Sequence, residues 1–353
     1  MRKIAISINP ISHLFFGSRM ELSPYQFVKS YYIPNIYTVG GVILAVVGSK
    51  IGYDKVEEML LDNSITVKGP YLAARFEGDI KFYVIAPRNF TREGFIRIDY
   101  LERDYIGFSR IDRLKTARIY AEPDQHIIKP EELVFVETEY AGGDVWRLNP
   151  NSYAKLKIEY SDRTSFEMDR SKRVVERPSL YHRSIIERYI LNSNKYGITD
   201  SISFRCDLEI SDELLNDIKD ATSELFRFGG EGGIARIEVD EENTPVLNMN
   251  INAIEKLNIK DKYLAVSHIP IISEAINGSL IYRIPGIGYI DWIYGGVSLI
   301  GGWLVRRDKQ KPKKHITALI PGSVFKLKEI NKDYPESFKE EWYFKLLFTI
   351  IRI

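Results

Sequence analysis

Cysteine is nearly absent: Cys206 stands alone in 353 residues. That excludes an internal disulfide framework and any cysteine-based zinc site, and it agrees with a reducing compartment. The five histidines, His13, His126, His182, His268 and His315, are scattered, with none at metal-ligand spacing from another, so no histidine-based metal site is expected. Net charge is scarce too, since 49 basic and 48 acidic residues leave a formal +1. No global field draws in a polyanion, and any nucleic-acid site has to be a local patch. Long apolar runs are missing. The longest, near 39–47 and 346–353, are too short to span a bilayer, and the opening MRKIAISINPISH has no signal-peptide core. No Walker loop, dinucleotide fingerprint or Gly-x-Ser-x-Gly elbow occurs. These absences lead to the expectation of a cytoplasmic chain with no membrane partner, no metal and no cofactor.

What is present is an ordinary globular composition, 44% apolar and 27% charged, with 22 tyrosines and 17 phenylalanines. The length allows a large core and about two domains. Residues 3–8 alternate as a strand before Pro10. Thr38 is placed to cap a helix over 39–50, and Asp54 another over 55–61. Residues 65–85 read as two strands around Glu77-Gly78-Asp79. Residues 87–143 look like a polar insertion, with 133–139 its clearest strand and 155–160 another beyond it. Over 162–189 a loop or loose hairpin, broken at Pro178, precedes a helix. A strand over 198–210 puts Ile202, Phe204, Cys206 and Leu208 on one face. Ser211 caps a helix with apolar residues at Leu214, Leu215, Ile218, Ala221 and Leu225. The run Gly229–Gly233 (GGEGG) then leads into a strand over 234–239. Residues 263–269 form a further strand bounded by Pro270, and 337–353 a helix or a helix turning into a closing strand. The fold class expected is α+β, with two ferredoxin-like halves divided near Asn194: an N-terminal domain over 1–194 with an inserted irregular region at about 87–190, and a C-terminal domain over 195–353.

Two segments concentrate cations beside aromatics. Residues 163–188 hold Arg163, Arg170, Lys172, Arg173, Arg177, Arg183 and Arg188 around Tyr181. Residues 306–315 hold Arg306, Arg307, Lys309, Lys311, Lys313, Lys314 and His315 after Trp303. Cations on phosphates and rings on bases are how single-stranded RNA is held, although a solvated hairpin loop accounts for such a charge run as well. The GGEGG run reads either as a helix C-cap and tight turn or as backbone exposed to a phosphate or a partner subunit. His182 and His13 have the chemistry of a general base, but a lone histidine is more often structural. Cys206, mid-strand on an apolar face, reads as core.

The motifs also resemble a family. Gly301-Gly302-Trp303, Lys311-Pro312 and Ile320-Pro321-Gly322-Ser323-Val324-Phe325 resemble the GGWD…KP…VPAGSVY ending of the third subunit of the Cmr complex, the type III-B CRISPR effector, a member of the RAMP superfamily. Leu14-Phe15-Phe16 resembles its early DPLFF element, and residues 33–41 resemble PPPSTLAGA. Gly69-Pro70-Tyr71-Leu72 resembles GPFL, residues 173–182 resemble R…EEGRLYH, and Phe228-Gly229-Gly230-Glu231 resembles LGGE. The pieces run in order over 14–325. The chain departs at Leu304, where the family has Asp, at Ser12-His13 in place of Asp-Pro, and at Arg177-Pro178, which interrupts the usual glycine.

The resemblance implies two RRM-like (ferredoxin-like) domains and no nuclease centre. It also implies a seat for the 5′ tag of the crRNA, beside the large polymerase-like subunit and the backbone RAMP subunits, with target RNA reached indirectly in antiviral defence. Expected phosphate contacts are Arg19, Arg173, Arg183, Lys311, Lys313 and Lys314. Close backbone approach is expected at Gly229, Gly230, Gly232, Gly233, Gly301 and Gly302, and stacking or base-edge contact at Tyr181, His182 and Trp303. The alternative is a metal-independent RAMP endoribonuclease that processes the crRNA precursor.

Overall fold

The computed structural model describes residues 2–17, 27–62, 64–88, 90–91, 94–95, 98–99, 118–119, 133–140, 146–169, 174–220, 224–230, 232–240, 257–276, 279–300, 303–305, 310–312, 316–335 and 350–352. The chain begins with β1 (Arg2–Pro10), β2 (Phe27–Lys29), α1 (Ile36–Ile51), α2 (Tyr53–Leu61), β3 (Thr66–Phe76) and β4 (Asp79–Ile85). Two small pairs follow, β5 (Phe90–Thr91) with β6 (Gly94–Phe95) and β7 (Ile98–Asp99) with β8 (Arg118–Ile119). Next are β9 (Val134–Tyr140), β10 (Trp146–Asp169), β11 (Val174–Ser193), β12 (Gly197–Thr199), β13 (Ile202–Ile210), α3 (Asp212–Asp220), β14 (Leu225–Arg227) and β15 (Ile234–Asp240).

These strands, apart from the two small pairs, form one sheet in the order β12-β11-β10-β9-β4-β3-β13-β1-β15-β14, with β2 added parallel to β11. Two strand–helix–strand units, β1–α1–β3 and β13–α3–β15, interleave in it, β13 lying antiparallel between β3 and β1 and β15 antiparallel on the far side of β1. The division expected after residue 194 falls inside this sheet, between β11 and β12. The cause is the alternation in β13: Phe204, Cys206 and Leu208 face the same helices as Ile4, Ile6 and Ile8 of β1, so both strands close one core.

Local signals differ from expectation in instructive places. α1 is capped by Asn35, whose Oδ1 accepts from the Thr38 N–H at 2.9 Å and the Thr38 hydroxyl at 3.1 Å; Thr38 lies inside the helix. α2 begins at Tyr53 after Gly52, with no side-chain cap, so Asp54 lies in its first turn. Glu77 (φ 46°) and Gly78 (φ 104°) make the tight turn between β3 and β4. The helix expected after Pro178 is instead part of β11. Pro178 falls where the β10–β11 register slips, between the Phe166–Leu180 and Met168–Val175 pairs, and a missing N–H there breaks no ladder bond. Pro270 lies within a strand rather than ending one.

The second sheet comprises β16 (Lys262–Ala265), β17 (Ile269–Ile276), β18 (Ser279–Ile284), β19 (Gly288–Tyr294), β20 (Val297–Ile300), the pair β21 (Trp303–Val305) and β22 (Gln310–Pro312) set apart from it, β23 (Ile316–Leu319), β24 (Val324–Ile330) and β25 (Ile350–Arg352). Its order is β20-β23-β17-β18-β19-β24-β16-β25, every pairing antiparallel. No helix occurs among the described residues of 257–352. The architecture is thus mostly antiparallel sheet with few helices, an α+β chain.

The first sheet is covered on both faces. On one, α1, α2 and α3 bury Val39, Ile43, Val47, Val56, Leu214 and Ile218 against it. On the other, Tyr71, Ala73, Phe82 and Val84 pack on Leu264, Val266, Trp292, Val324 and Ile351 of the second sheet. The Arg88 N–H donates to the Gly322 carbonyl at 3.0 Å across the same junction. The polar positions of β13 are carried into this buried layer. Arg205 is 0% exposed and Asp207 3%. Asp207 Oδ1 accepts from the Tyr71 hydroxyl at 2.7 Å, and the Arg205 guanidinium lies 4.8 Å from the centre of the Phe82 ring. Burial pushes the Asp207 carboxyl up to about 7, while the Tyr71 hydroxyl, Arg205 and Lys68 pull it back. At the edge of the layer Lys68 meets Glu209 at 3.0 Å.

His268, in the connection that leads into β17, meets Tyr31 edge-on at 6.1 Å between ring centres, and burial holds its imidazole down to about 4.

Trp292→Ala should remove about 3–5 kcal/mol of stability, read by urea denaturation; a loss below about 1 kcal/mol would mean that the two sheets do not share this packing. His268 gives a pH signature. The folded chain resists protonating an imidazole that the unfolded chain protonates near its ordinary 6.5. Stability from this group is therefore complete above pH 6.5 and is lost as pH falls towards about 4. Relative to His268→Phe, which keeps a ring against Tyr31, the wild type should lose about 3 kcal/mol over that window. Parallel pH profiles for the two proteins would refute the assignment.

Candidate nucleic-acid interface

β10 and β11 form an antiparallel arm of 24 and 20 residues, far beyond an ordinary strand length. Its root is pinned from several sides. Leu14 and Ile186 exchange backbone bonds of 2.8 Å in each direction. The Ser184 hydroxyl donates to Asp162 Oδ1 at 2.8 Å, and Arg188 pairs with Asp200. The Tyr189 hydroxyl donates to the Tyr32 carbonyl at 2.9 Å. These contacts fix the register in which Arg163 lies directly opposite Arg183.

The glycine-rich run lies against this root. α3 ends at Asp220 and β14 intervenes, so the run joins two paired strands rather than a helix and a strand, a correction to the order expected. Phe228 N–H donates to the Gly233 carbonyl at 2.9 Å, and Gly230 N–H donates to the Phe15 carbonyl at 2.7 Å. A Cβ at Gly233 would stand 2.4 Å from the Phe228 carbonyl oxygen and 3.0 Å from that of His13. One at Gly229, where φ is +79°, would stand 2.7 Å from the Phe15 carbonyl oxygen. Glycine is required at Gly229 by its positive φ and the Phe15 carbonyl, and at Gly233 by the turn's own Phe228 carbonyl together with that of His13. Gly232, by contrast, faces open space.

Phe15 ties the pieces together. Its ring carries the Arg183 guanidinium at 5.6 Å from the centroid, and Gly230 packs against its edge. Burial and the Arg163 charge hold the His13 imidazole below its ordinary range, with Glu187 pulling it back up.

Of the expected site residues, Arg183, Gly229, Gly230, Gly232 and Gly233 come together here. Tyr181 and His182 lie two and one positions before Arg183 in β11, and the backbone of His182 pairs with Phe27. Trp303 and Lys311 lie on the paired β21 and β22. Arg19, Arg173, Gly301, Gly302, Lys313 and Lys314 fall outside the described residues. Cys206 is fully buried, with its thiol pushed well above the ordinary value by burial, which fits a core role. His13 and Arg163 were not among the expected contacts. The available signal was the Leu14-Phe15-Phe16 motif, which says nothing of a partner strand some 150 residues away.

Chemically, the arrangement offers guanidinium groups beside a ring and a turn of exposed backbone, a set suited to holding an oxyanion. Among the described residues no cluster of His, Cys, Asp and Glu could hold a metal ion, and no helix is long and apolar enough to cross a membrane.

The fold and this surface define a class, an α+β chain of two packed antiparallel sheets with a basic hairpin arm. No family model matches the chain, and no curated protein matches it. Among solved structures it is similar to a chain of the type III-B Cmr-β complex bound to cognate target RNA and AMPPnP, at 18% identity, with 91% of this chain and 86% of that one covered and a TM-score of 0.46. It is also similar to a chain of Cmr-β bound to cognate target RNA, at 19% identity, with the same coverage and a TM-score of 0.44.

Proposed function

We propose that this chain is a non-catalytic RNA-binding and scaffolding subunit of a type III-B CRISPR (Cmr) effector complex, its third subunit. It holds the 5′ tag of the crRNA beside the large polymerase-like subunit and the first backbone subunit, in the cytoplasm. One observation carries the reading. Two motif pieces far apart in sequence, Leu14–Phe16 and Phe228–Gly230, meet Arg183, which directly follows a third, at the root of the arm, where the Arg183 guanidinium lies over the Phe15 ring and the Gly230 N–H donates to the Phe15 carbonyl. Motif order alone is compatible with chance; a common location is what a shared RNA-holding surface requires. The interleaved β1–α1–β3 and β13–α3–β15 units support reading the first sheet as grown from a ferredoxin-like (RRM-like) half.

The test is a titration of the complete chain with RNA bearing a crRNA 5′ tag, across a range of salt. Replacing Lys311, Lys313 and Lys314 together by Gln should flatten the log–log salt dependence by roughly one unit per lost phosphate contact. An unchanged slope would remove the 306–315 loop from the interface. In the same preparation, repeat RNA incubated in EDTA should stay intact. Site-specific cleavage that disappears in His182→Ala would establish a metal-independent ribonuclease instead.

A further inference from the structure

The second sheet ends on an edge without the usual protection. β20 lies at one end of it and, among the described residues, pairs with β23 alone. Half of the N–H and C=O groups of such a strand point away from the sheet. Native chains blunt that row with a charge, a proline, a bulge or a very short strand. The other terminal strands show these devices. β12, β14 and β25 are three residues each. β14 ends in Arg227 and β25 in Arg352. β12 is tied across to β3 by the Thr199 hydroxyl, which donates to the Arg75 carbonyl at 2.8 Å. β20, Val-Ser-Leu-Ile, has no charge and no proline, and its register with β23 runs without a slip from Val297–Leu319 to Ile300–Ile316.

The strand is also apolar where a neighbour would add. Val297 packs against the core of the second sheet, which holds Ile269, Ile271 and Leu319. Leu299, two positions on, shares its face and is 56% exposed, at the margin of that core. An added strand with an apolar residue beside Leu299 continues the core outward through a new cross-strand pair.

Two observations select the occupant. A sheet edge alternates donors and acceptors, so another peptide backbone matches it; a phosphate backbone brings acceptors and leaves the edge carbonyls unmatched. Charge supplies the second. Ile300 pairs with Ile316, so the chain leaves and re-enters the sheet at this end of β20. The connection between β21 and β22 carries Arg306, Arg307 and Lys309 against Asp308 alone, and the RNA contacts expected at Lys311, Lys313 and Lys314 do not use these cations. The β20 of a second copy of this chain brings no acid to meet them.

We propose that the outer edge of β20 takes an extended strand of a neighbouring protein subunit, apolar beside Leu299 and acidic where it passes the β21–β22 connection. The proposal rests on the reading of the chain as one subunit of an assembly and adds the place where a protein neighbour attaches.

The test follows backbone hydrogen exchange of the full chain, alone and assembled with the other subunits of its Cmr complex and crRNA. Amides of 297–300 that exchange in the isolated chain should slow about tenfold or more on assembly, as a new ladder forms. Leu299→Lys puts a charge into the contact and should lower incorporation into the complex about tenfold. The isolated variant should unfold at the wild-type urea concentration, because Leu299 is exposed. Leu299→Val, which keeps an apolar strand former, and Ile198→Lys, at the exposed position of β12, should assemble like the wild type. If the 297–300 amides exchange equally in the two states, or Leu299→Lys assembles like the wild type, the edge is refuted and the subunit reading stands. If the wild type does not assemble, both fall. If Leu299→Lys loses urea stability in step with incorporation, Leu299 is structural and the edge is refuted. Protection of 297–300 by crRNA alone, or by a dimer of the isolated chain in sedimentation, would overturn the protein neighbour as occupant.

Discussion

The constraint on which the rest of the structure depends is that the first sheet is buried on both faces. An antiparallel sheet usually keeps one face in water and shows it as alternating polar residues. Here the helices take one face, and Trp292, Leu264 and Val324 of the second sheet take the other over β3 and β4. Arg205 and Asp207 are buried as a result and have to satisfy one another's surroundings through Tyr71 and the Phe82 ring. A buried charge of this kind is costly to leave without compensation and adds little net stability when compensated.

With both faces occupied, the central strands have no broad face to offer a ligand. What remains is the sheet's margin. The long arm of β10 and β11 leaves that margin, and the 13–17 segment, β2 and the glycine-rich turn gather at its root. An RNA strand held here would meet side chains from the beginning, the middle and the later part of the chain at once.

Much of the first core was legible. The alternation of Ile202, Phe204, Cys206 and Leu208 announced a strand with one buried face, and Ser211 announced the start of α3, where its hydroxyl accepts from the Leu214 N–H at 3.5 Å. The burial of Arg205 and Asp207 was not legible, since polar residues between apolar ones read as a wet face and only the second sheet makes them dry. The arm was misread for a similar reason. Its charge density and Pro178 suggest a broken loop, while its strand character comes from the partner strand. The glycine run was legible as a tight turn. That Gly229 is required by the backbone of Phe15 was not, because that residue lies more than 200 positions earlier. Of the two basic segments, the described parts of the 163–188 stretch are strands of the first sheet, and the Arg163–Arg183 opposition becomes visible only once the register is known.

The central claim is that RNA lies along this arm in an assembled complex. Photocrosslinking tests it most directly: the complex is assembled with a crRNA that carries thiouridine in its 5′ tag, irradiated, and the crosslinked peptides are mapped. The account predicts adducts on this chain within 163–183 and 303–315. Efficient crosslinking confined to other subunits, with none on this chain, would contradict it.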